Sequence, residues 1–495
     1  MTRRLLRAGG VIAAGVVALS VASPAQAATE EACANRVNNT HAKLAECVTV
    51  EGVRAHREAL QEIATQHGGT RVSGTAGYDA SVAYVVDTLR AAGYTPTVQE
   101  LTVNTFVTTT PTLLERVAPD PAVLATAVLS YSGSGDVTAP VFALPADPTP
   151  GCEATDFAGF PAGAVALVPR GSCTFALKAT NAAAAGATAV VITNNTGGAL
   201  DATLGADFAL DIPVVSVTQE LGAQLAATSG LVLHVRTATL RGPATTANVI
   251  AETQGGNPDN VVMAGAHLDS VNAGPGINDN GSGAAALLEV AVQMAGVDPT
   301  NRVRFAWWGA EESGLLGSTH YVSTLAQADR DRIALYLNFD MVGSPNHVFF
   351  VYDGDDSDAV GAGPGPEGSA RIEKTFEAFY SQRGIPWKGT DFTGRSDYGP
   401  FIAAGIPAGG LFTGAEGVKT VEEATRWGGT AGIPYDPCYH QACDDVDNSN
   451  DEALDVNADA MAFGILQYAM STVDVNGVPG KGNFAPVSPL VAPVG

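Results

Sequence analysis

Apolar residues recur along this chain with two different periods, and the switch between them marks out the elements. From Val53 to His67 the residues Val53, Leu60, Ile63 and Ala64 share one side of a 3.6-residue repeat, and Gly68-Gly69 ends the run. A second helical pattern covers Tyr78 to Ala92, and Val98 to Phe106 then alternates in the manner of a strand. Further on, Asn260 to Ala266, Val303 to Trp308, Ala334 to Met341, His347 to Tyr352 and Pro407 to Thr413 are strand-like runs. Helical patterns lie near Gly283 to Ala295, Gly314 to Leu325, Ser369 to Arg383 and Ala453 to Ser471. Strands and helices taking turns predict an α/β fold.

The texture changes between about Thr110 and Arg241, where short Val/Ala runs are broken by Gly, Pro and Asp. Ala247-Asn248-Val249-Ile250 then reads as the strand that re-enters the main sheet, so the main domain is expected in two pieces, 50–110 and 242–472, around an insertion at 111–241. Within the insertion, Ala164 to Phe175 carries the order R-G-x-C-x-F. It is followed by a helical stretch from Ala176 to Ala185, the run Ala187 to Asn194, and Ile212-Pro213-Val214-Val215-Ser216-Val217. These residues resemble the protease-associated domain, a small β-rich module inserted in several secreted peptidases. Its few acidic residues read as lacking a histidine partner, so no catalytic set is expected there. The resemblance leaves a lid role and a passive folding role both open.

Composition narrows the setting. Of 495 residues 46% are hydrophobic and mean hydropathy is +0.12, enough apolar material for two or three cored domains. Acidic residues outnumber basic ones by 51 to 26 for a net charge of −25, which argues against nucleic acid as a partner. Met1 to Ala27 has Arg3, Arg4 and Arg7, an apolar core to about Val21 and a small-residue site Ala25-Gln26-Ala27, the pattern of a secretory signal peptide. That apolar run is short for a membrane anchor, so a secreted monomer without stable membrane attachment is expected. Arg3-Arg4 leaves Sec and twin-arginine export both open. Residues 28–49 read as an N-terminal extension and 473–495, rich in Pro, Gly and Val, as a flexible tail. In an exported chain, six cysteines in three local couples favour the disulfides Cys33–Cys47, Cys152–Cys173 and Cys438–Cys443, although fifteen pairings are formally possible.

Candidate chemistry centres on Gly265 to Gly283. His267 and Asp269 are expected at the C-terminal end of a strand, where open α/β sheets place their sites, and Asp279 lies in the glycine-rich loop before the next helix. Glu311-Glu312 follows the strand ending at Trp308. Two adjacent acids suit a helix start, but at a strand end they are costly to bury without a cation or a proton. Asp340 ends a third strand, and His440 lies between Cys438 and Cys443. His267, Asp279, Glu312, Asp340 and His440 give five nitrogen or oxygen ligands, three of them carboxylates. That exceeds one tetrahedral zinc and fits two Zn2+ if a carboxylate bridges. The sequence has no H-E-x-x-H motif.

The segments Gly265 to Ser270, Gly276 to Gly283, Trp307 to Glu312, Leu337 to Met341, Gly394-Arg395-Ser396-Asp397 and Asp436 to His440 are similar to those of the secreted two-zinc aminopeptidases of the Streptomyces type. The resemblance implies a zinc exopeptidase-like fold, a mixed twisted sheet sandwiched by helices. It also implies that Asp279 bridges, that His267 and Asp340 complete one metal and Glu312 and His440 the other, and that Glu311 is the general base. Tyr439 would donate to the oxyanion, Asp269 would orient His267, and the carbonyl of Arg395 would meet the α-amino group of peptides with a free N-terminus. Met341 and Phe412 are expected to line a pocket for a large apolar residue such as leucine, or to be ordinary core. Asp455 and Asp459, at i and i+4 in the last helix, match a calcium pair whose third acid is displaced or missing here, where the chain reads Glu46-Cys47-Val48. The compact relatives lack the insertion, and Tyr398-Gly399 replaces the pair expected after Asp397. Two other readings stand beside this one: a carboxypeptidase, with Arg395 as its clamp, and a binding module with an inactive site.

Overall fold

The computed structural model describes residues 30–479 except 146–147, 197, 199, 201 and 362, so the expected signal peptide and most of the expected tail lie outside the described residues. A 14-stranded sheet runs through both bodies of the molecule. Its larger half is built on the parallel strands Asn301–Trp308, Asn257–His267, Ile333–Phe339 and Ala408–Phe412, side by side in that order. Phe350–Tyr352 and Lys388–Thr390 extend the far edge. Each central strand alternates: Val262, Ala264, Phe305, Trp307, Leu335 and Leu337 face one apolar core, while Val261, Met263, Ala306, Trp308 and Tyr336 face another. That two-sided burial is why the sequence shows continuous apolar runs at these strands.

Helices Val50–Gln66, Gly281–Met294, Ser369–Gln382 and Asp451–Met470 pack on the first face, and Leu316–Thr324 and Tyr398–Ala403 on the second. Helix starts follow the cap rules, with Thr49 Oγ accepting from Gly52 N at 3.1 Å and Asn450 Oδ1 from Ala453 N at 2.9 Å. The three expected disulfides are formed. The N-terminal extension is part of the core: it forms helices Glu30–Ala34 and His41–Ala45, buries Leu44 and Val48, and Asn38 Nδ2 donates to Gln293 O at 2.9 Å.

Three expectations are corrected. The boundaries near 110 and 242 fall inside continuous strands, because Thr97–Ala118 and Val232–Glu252 pair along most of their length as an antiparallel ribbon that belongs to both bodies. One end of Val232–Glu252 also pairs with Asn301–Trp308, and its other end with Gly135–Ala143 of the insertion. The insertion does hold a histidine with acidic neighbours, His234, 2.7 Å from Asp136 and 3.6 Å from Glu115. At the expected tail, Val473–Asn476 forms a short helix, and Thr472 bridges to Val478. Helix Gln219–Ala227, capped by Thr218 whose side chain accepts from Leu221 N, was not foreseen.

Gly265 lies where the strand carrying His267 touches its neighbours. A Cβ there would meet the Tyr336 hydroxyl and stand 2.6 Å from Trp308 Nε1. Gly265→Ala is therefore expected to cost about 1–3 kcal/mol by overpacking, read as a lowered melting temperature; an unchanged melting temperature would contradict this packing.

Candidate metal centre

The sheet delivers its chemistry at the carboxyl ends of three neighbouring parallel strands. His267 is the last residue of its strand, Asp340 directly follows Ile333–Phe339, and Glu311 and Glu312 follow Asn301–Trp308 after one tight turn. Three non-glycine residues at this edge have left-handed backbones: Ala310 (φ +56°) before Glu311, Met341 (φ +50°) after Asp340, and His440 itself (φ +56°). Each such conformation costs of order 1 kcal/mol and persists only where packing enforces it. Here it turns the side chains inward.

The inward side chains form three overlapping groups: His267, Asp279 and Asp340 in one and Asp279, Glu312 and His440 in another share Asp279, and the third joins His267 to Glu311 and Glu312. His267 Nε2 lies 3.2 Å from Asp279 Oδ1 and 3.5 Å from Asp340 Oδ1, and His440 Nε2 lies 3.3 Å from Asp279 Oδ2 and 3.1 Å from Glu312 Oε2. Glu311 Oε2 is further from His267 Nε2, at 4.0 Å. Ligands about 2.0–2.1 Å from a tetrahedral zinc stand roughly 3.3 Å from one another, so these separations suit a common cation. His267 Nε2, Asp340 Oδ1 and Glu312 Oε1 are buried without a hydrogen-bond partner, a cost that ligation would remove.

Charge makes the same case. Burial pushes the carboxyl of Glu311 well above its usual range, and burial with the neighbouring Asp279 moves Glu312 up to about 7. Burial alone would lower both imidazoles. Asp340 and Glu311 instead hold His267 well above its usual value, and hydrogen bonds to Asp279 and Glu312 drive His440 up to about 11. Against burial, the two facing imidazoles of His267 and His440 hold Asp279 below the ordinary carboxylate range. Crowded carboxylates thus call for compensating positive charge, which divalent cations would supply.

The candidate ligands are held by a hydrogen-bonded shell drawn partly from the quoted motifs (Trp308, Asn338, Ser396, Asn278, Asp436) and partly from residues outside them (Tyr336, Asp444, Asn448, Arg57, Arg71). Trp308 Nε1 donates to Tyr336 Oη (2.8 Å), Tyr336 to Asn338 Oδ1 (3.1 Å), Asn338 Nδ2 to Ser396 Oγ (2.8 Å) and Ser396 to Asp340 Oδ2 (2.5 Å). This chain occupies one oxygen of Asp340 and leaves Oδ1 facing His267. Asp444 accepts from Asn278 N and Asp279 N at 2.8 and 3.0 Å, and Asn448 Nδ2 bonds both Asp444 and Asp436, which ties the Asp279 loop to the His440 loop. Two buried arginines grip the glycine-rich loop by its carbonyls. Arg71 donates to Leu268, Pro275 and Gly276, and Arg57 to Ile277. Asp269 lies beneath His267: its carbonyl is 3.2 Å and its Oδ1 3.5 Å from Nδ1, and Oδ1 accepts from Glu311 N at 3.2 Å.

A cavity of about 310 Å³ opens beside Asp279, Glu311 and Asp340, with Met341 and Phe412 in its wall as expected and Tyr439 and Arg395 near its charged end. Phe350 stacks on Phe412 at 5.9 Å and meets Tyr435 edge-on at 5.5 Å, so much of the lining is aromatic. Tyr398, the departure noted in the sequence, lines the cavity and accepts from Gly394 N at 2.9 Å. The lining, among the described residues, comes entirely from the main domain, between Asp279 and His440, and not from the insertion. Arg395 is already engaged, its guanidinium donating to Glu416 and Tyr439, which weakens the reading of a substrate-carboxylate clamp.

Asp455 and Asp459 sit one turn apart on Asp451–Met470, but among the described residues no set of three converging ligands includes them. Glu46 pairs with Arg36 at 2.8 Å, and the charged groups acting on Asp455 and Asp459 include Glu51 and Arg383.

Two outcomes follow from these contacts. Arg71→Ala strands three buried carbonyls, each worth about 1–3 kcal/mol, so the variant should melt markedly lower and lose zinc more readily to a chelator; wild-type melting and zinc retention would refute that role. Burial raises Asp459 to about 7 despite Arg383. A raised carboxyl favours folding below its unfolded value and loses that contribution as pH climbs toward 7. In calcium-free buffer Asp459→Asn should therefore melt above wild type at pH 8 and match it near pH 4; a lower melting temperature at pH 8 would overturn the assignment.

Comparison with known proteins agrees with this geometry. The family model "Peptidase family M28" matches residues 248–464, and the PA domain model matches 137–225. An aminopeptidase of Pseudomonas aeruginosa (strain UCBPP-PA14) is 46% identical over 492 residues, covering 94% of this chain and 91% of that protein. Leucine aminopeptidase 2 of Trichophyton rubrum is 41% identical over 428 residues, covering 86% and 85%. Among solved structures, BSAP, a zinc aminopeptidase from Bacillus subtilis, superposes with a TM-score of 0.63 at 25% identity over 85% of this chain and 95% of that one. An acid-rich donor set at the edge of an α/β sheet, a PA insertion and this degree of likeness lead to one conclusion: the chain belongs to peptidase family M28 and is a zinc-dependent aminopeptidase.

Proposed function

We propose that the protein is a secreted aminopeptidase working with two zinc ions, one held by His267, Asp279 and Asp340 and the other by Asp279, Glu312 and His440. The observation that carries this reading is the double engagement of Asp279, whose Oδ1 faces His267 and Oδ2 faces His440 at nearly equal distances, 3.2 and 3.3 Å. Zinc, when bound, acidifies water at neutral pH and polarises a carbonyl. Glu311 takes the proton of the attacking water as its oxygen bonds to the scissile carbonyl carbon. It then returns that proton to the leaving amine as the C–N bond breaks. Tyr439 donates its hydroxyl hydrogen bond to the carbonyl oxygen as negative charge develops there. Glu311, Asp340 and the carbonyl of Arg395 receive the cationic α-amino group of the substrate, which confines cleavage to the first residue. Met341 and Phe412, with Phe350 beside them, favour a large apolar side chain, and a relative named for leucine supports that preference.

The signal-peptide pattern and three disulfides support export. Among the described residues, no helix is long and apolar enough to cross a membrane. A calcium ion at Asp455 and Asp459 is part of the same proposal, and it would compete with Arg383 for Asp459.

Mass spectrometry of the native protein should find two zincs per chain, and one zinc would overturn the dinuclear reading. Glu311→Gln should keep the zinc and lose roughly 10²–10⁴-fold in turnover of leucine p-nitroanilide; unaltered turnover would remove Glu311 from the reaction. His440→Ala should release one zinc first. N-acetylation of the substrate should abolish cleavage, whereas continued cleavage would point away from an aminopeptidase. Millimolar calcium should raise the melting temperature of wild type but not of the Asp455→Asn, Asp459→Asn double variant.

A further inference from the structure

We infer that Arg395 acts through its guanidinium as the positioning residue for Tyr439, braced by Glu416. The inference rests on the reading of Tyr439 as the donor to the substrate carbonyl. Arg395 Nη2 donates to Tyr439 Oη at 3.1 Å, and Nη1 donates to Glu416 Oε1 at 2.6 Å. All three residues line the cavity that contains Asp279 and Glu311.

A phenol ring held in one plane still lets its O–H rotate about the C–O bond. The ring is fixed by stacking on His440, with centroids 3.9 Å apart and planes 22° apart. The hydroxyl needs a separate constraint, because the carboxylate of Glu311 lines the same cavity and competes with a substrate carbonyl for its proton. A guanidinium has only donors, so its bond to the phenol oxygen occupies an acceptor position and turns the O–H away from Arg395. That leaves the hydroxyl free to donate into the cavity. Glu416 holds the other arm of the fork, and planar two-armed geometry of this kind is specific to arginine. The side chains of Arg395 and Glu416 remain 58% and 55% exposed, so the brace adds little to folding stability and its effect should appear in the reaction.

The test is a double-variant cycle on leucine p-nitroanilide with Arg395→Ala, Arg395→Lys, Tyr439→Phe and the Arg395→Ala, Tyr439→Phe pair. Zinc content and melting temperature are measured on each protein. Arg395→Ala is expected to lower kcat about tenfold, the size of one charge-assisted hydrogen bond lost in the transition state, with KM within about twofold. In the Tyr439→Phe background the same change should have almost no further effect, and Arg395→Lys should recover only part of kcat. Full additivity of the two losses, or a loss confined to KM, would overturn the inference by showing that Arg395 acts without Tyr439. A drop in kcat for Tyr439→Phe with none for Arg395→Ala would sink the positioning role alone. Wild-type kcat in Tyr439→Phe would instead sink the donor reading on which it rests.

Discussion

Asp279 is the point on which the rest of the structure depends. One carboxylate faces two imidazoles from opposite sides, within a pocket that also buries Glu311 and Asp340 and partly buries Glu312. So much acid in so little volume is tolerable only with compensating positive charge. The fold therefore has to bring His267, Asp279, Glu312, Asp340 and His440 to within a few ångströms of one another and keep them there. Every notable feature around the site serves that requirement: the strand ends, the left-handed residues and the hydrogen-bonded supports.

The supports follow a common pattern. Arg71 and Arg57, both buried, hold the glycine-rich loop by backbone carbonyls and not by its acids, so the loop is anchored without neutralising the carboxylates. Burial draws Arg71 down to about 10, still charged at neutral pH. Asp340 is treated the same way: Ser396 takes one oxygen, and the other stays available. Rigid outer contacts and unsatisfied inner atoms together describe a site prepared for ions.

The insertion enters this scheme mechanically. It grows from the ribbon formed by Thr97–Ala118 and Val232–Glu252, and the same ribbon pairs with Asn301–Trp308, the strand that leads to Glu311 and Glu312. Leu101 and Val103 of the ribbon pack on Ala310 and Leu316, either side of the two glutamates. The second body is thus joined to the catalytic edge by a stiff sheet and contributes, among the described residues, nothing to the cavity lining.

Much of this was legible in the sequence, for a local reason. Strands buried on both faces must be continuous apolar runs, and the residues that leave them must do so at strand ends, so Asn257–His267, Asn301–Trp308 and Ile333–Phe339 announced both the sheet and His267, Glu311, Glu312 and Asp340. The cysteine couples were likewise close enough along the chain to predict their bonds. What the sequence could not state was which supporting side chains from distant segments hold the candidate ligands in place. Arg71 lies about two hundred residues from the carbonyls it holds, Ser396 more than fifty from Asp340, and Glu416 about twenty from Arg395. The domain boundary was invisible because a ribbon spanning two bodies has the same alternation on either side of it. Periodicity records which side of an element is buried; only the folded chain decides which polar groups meet there.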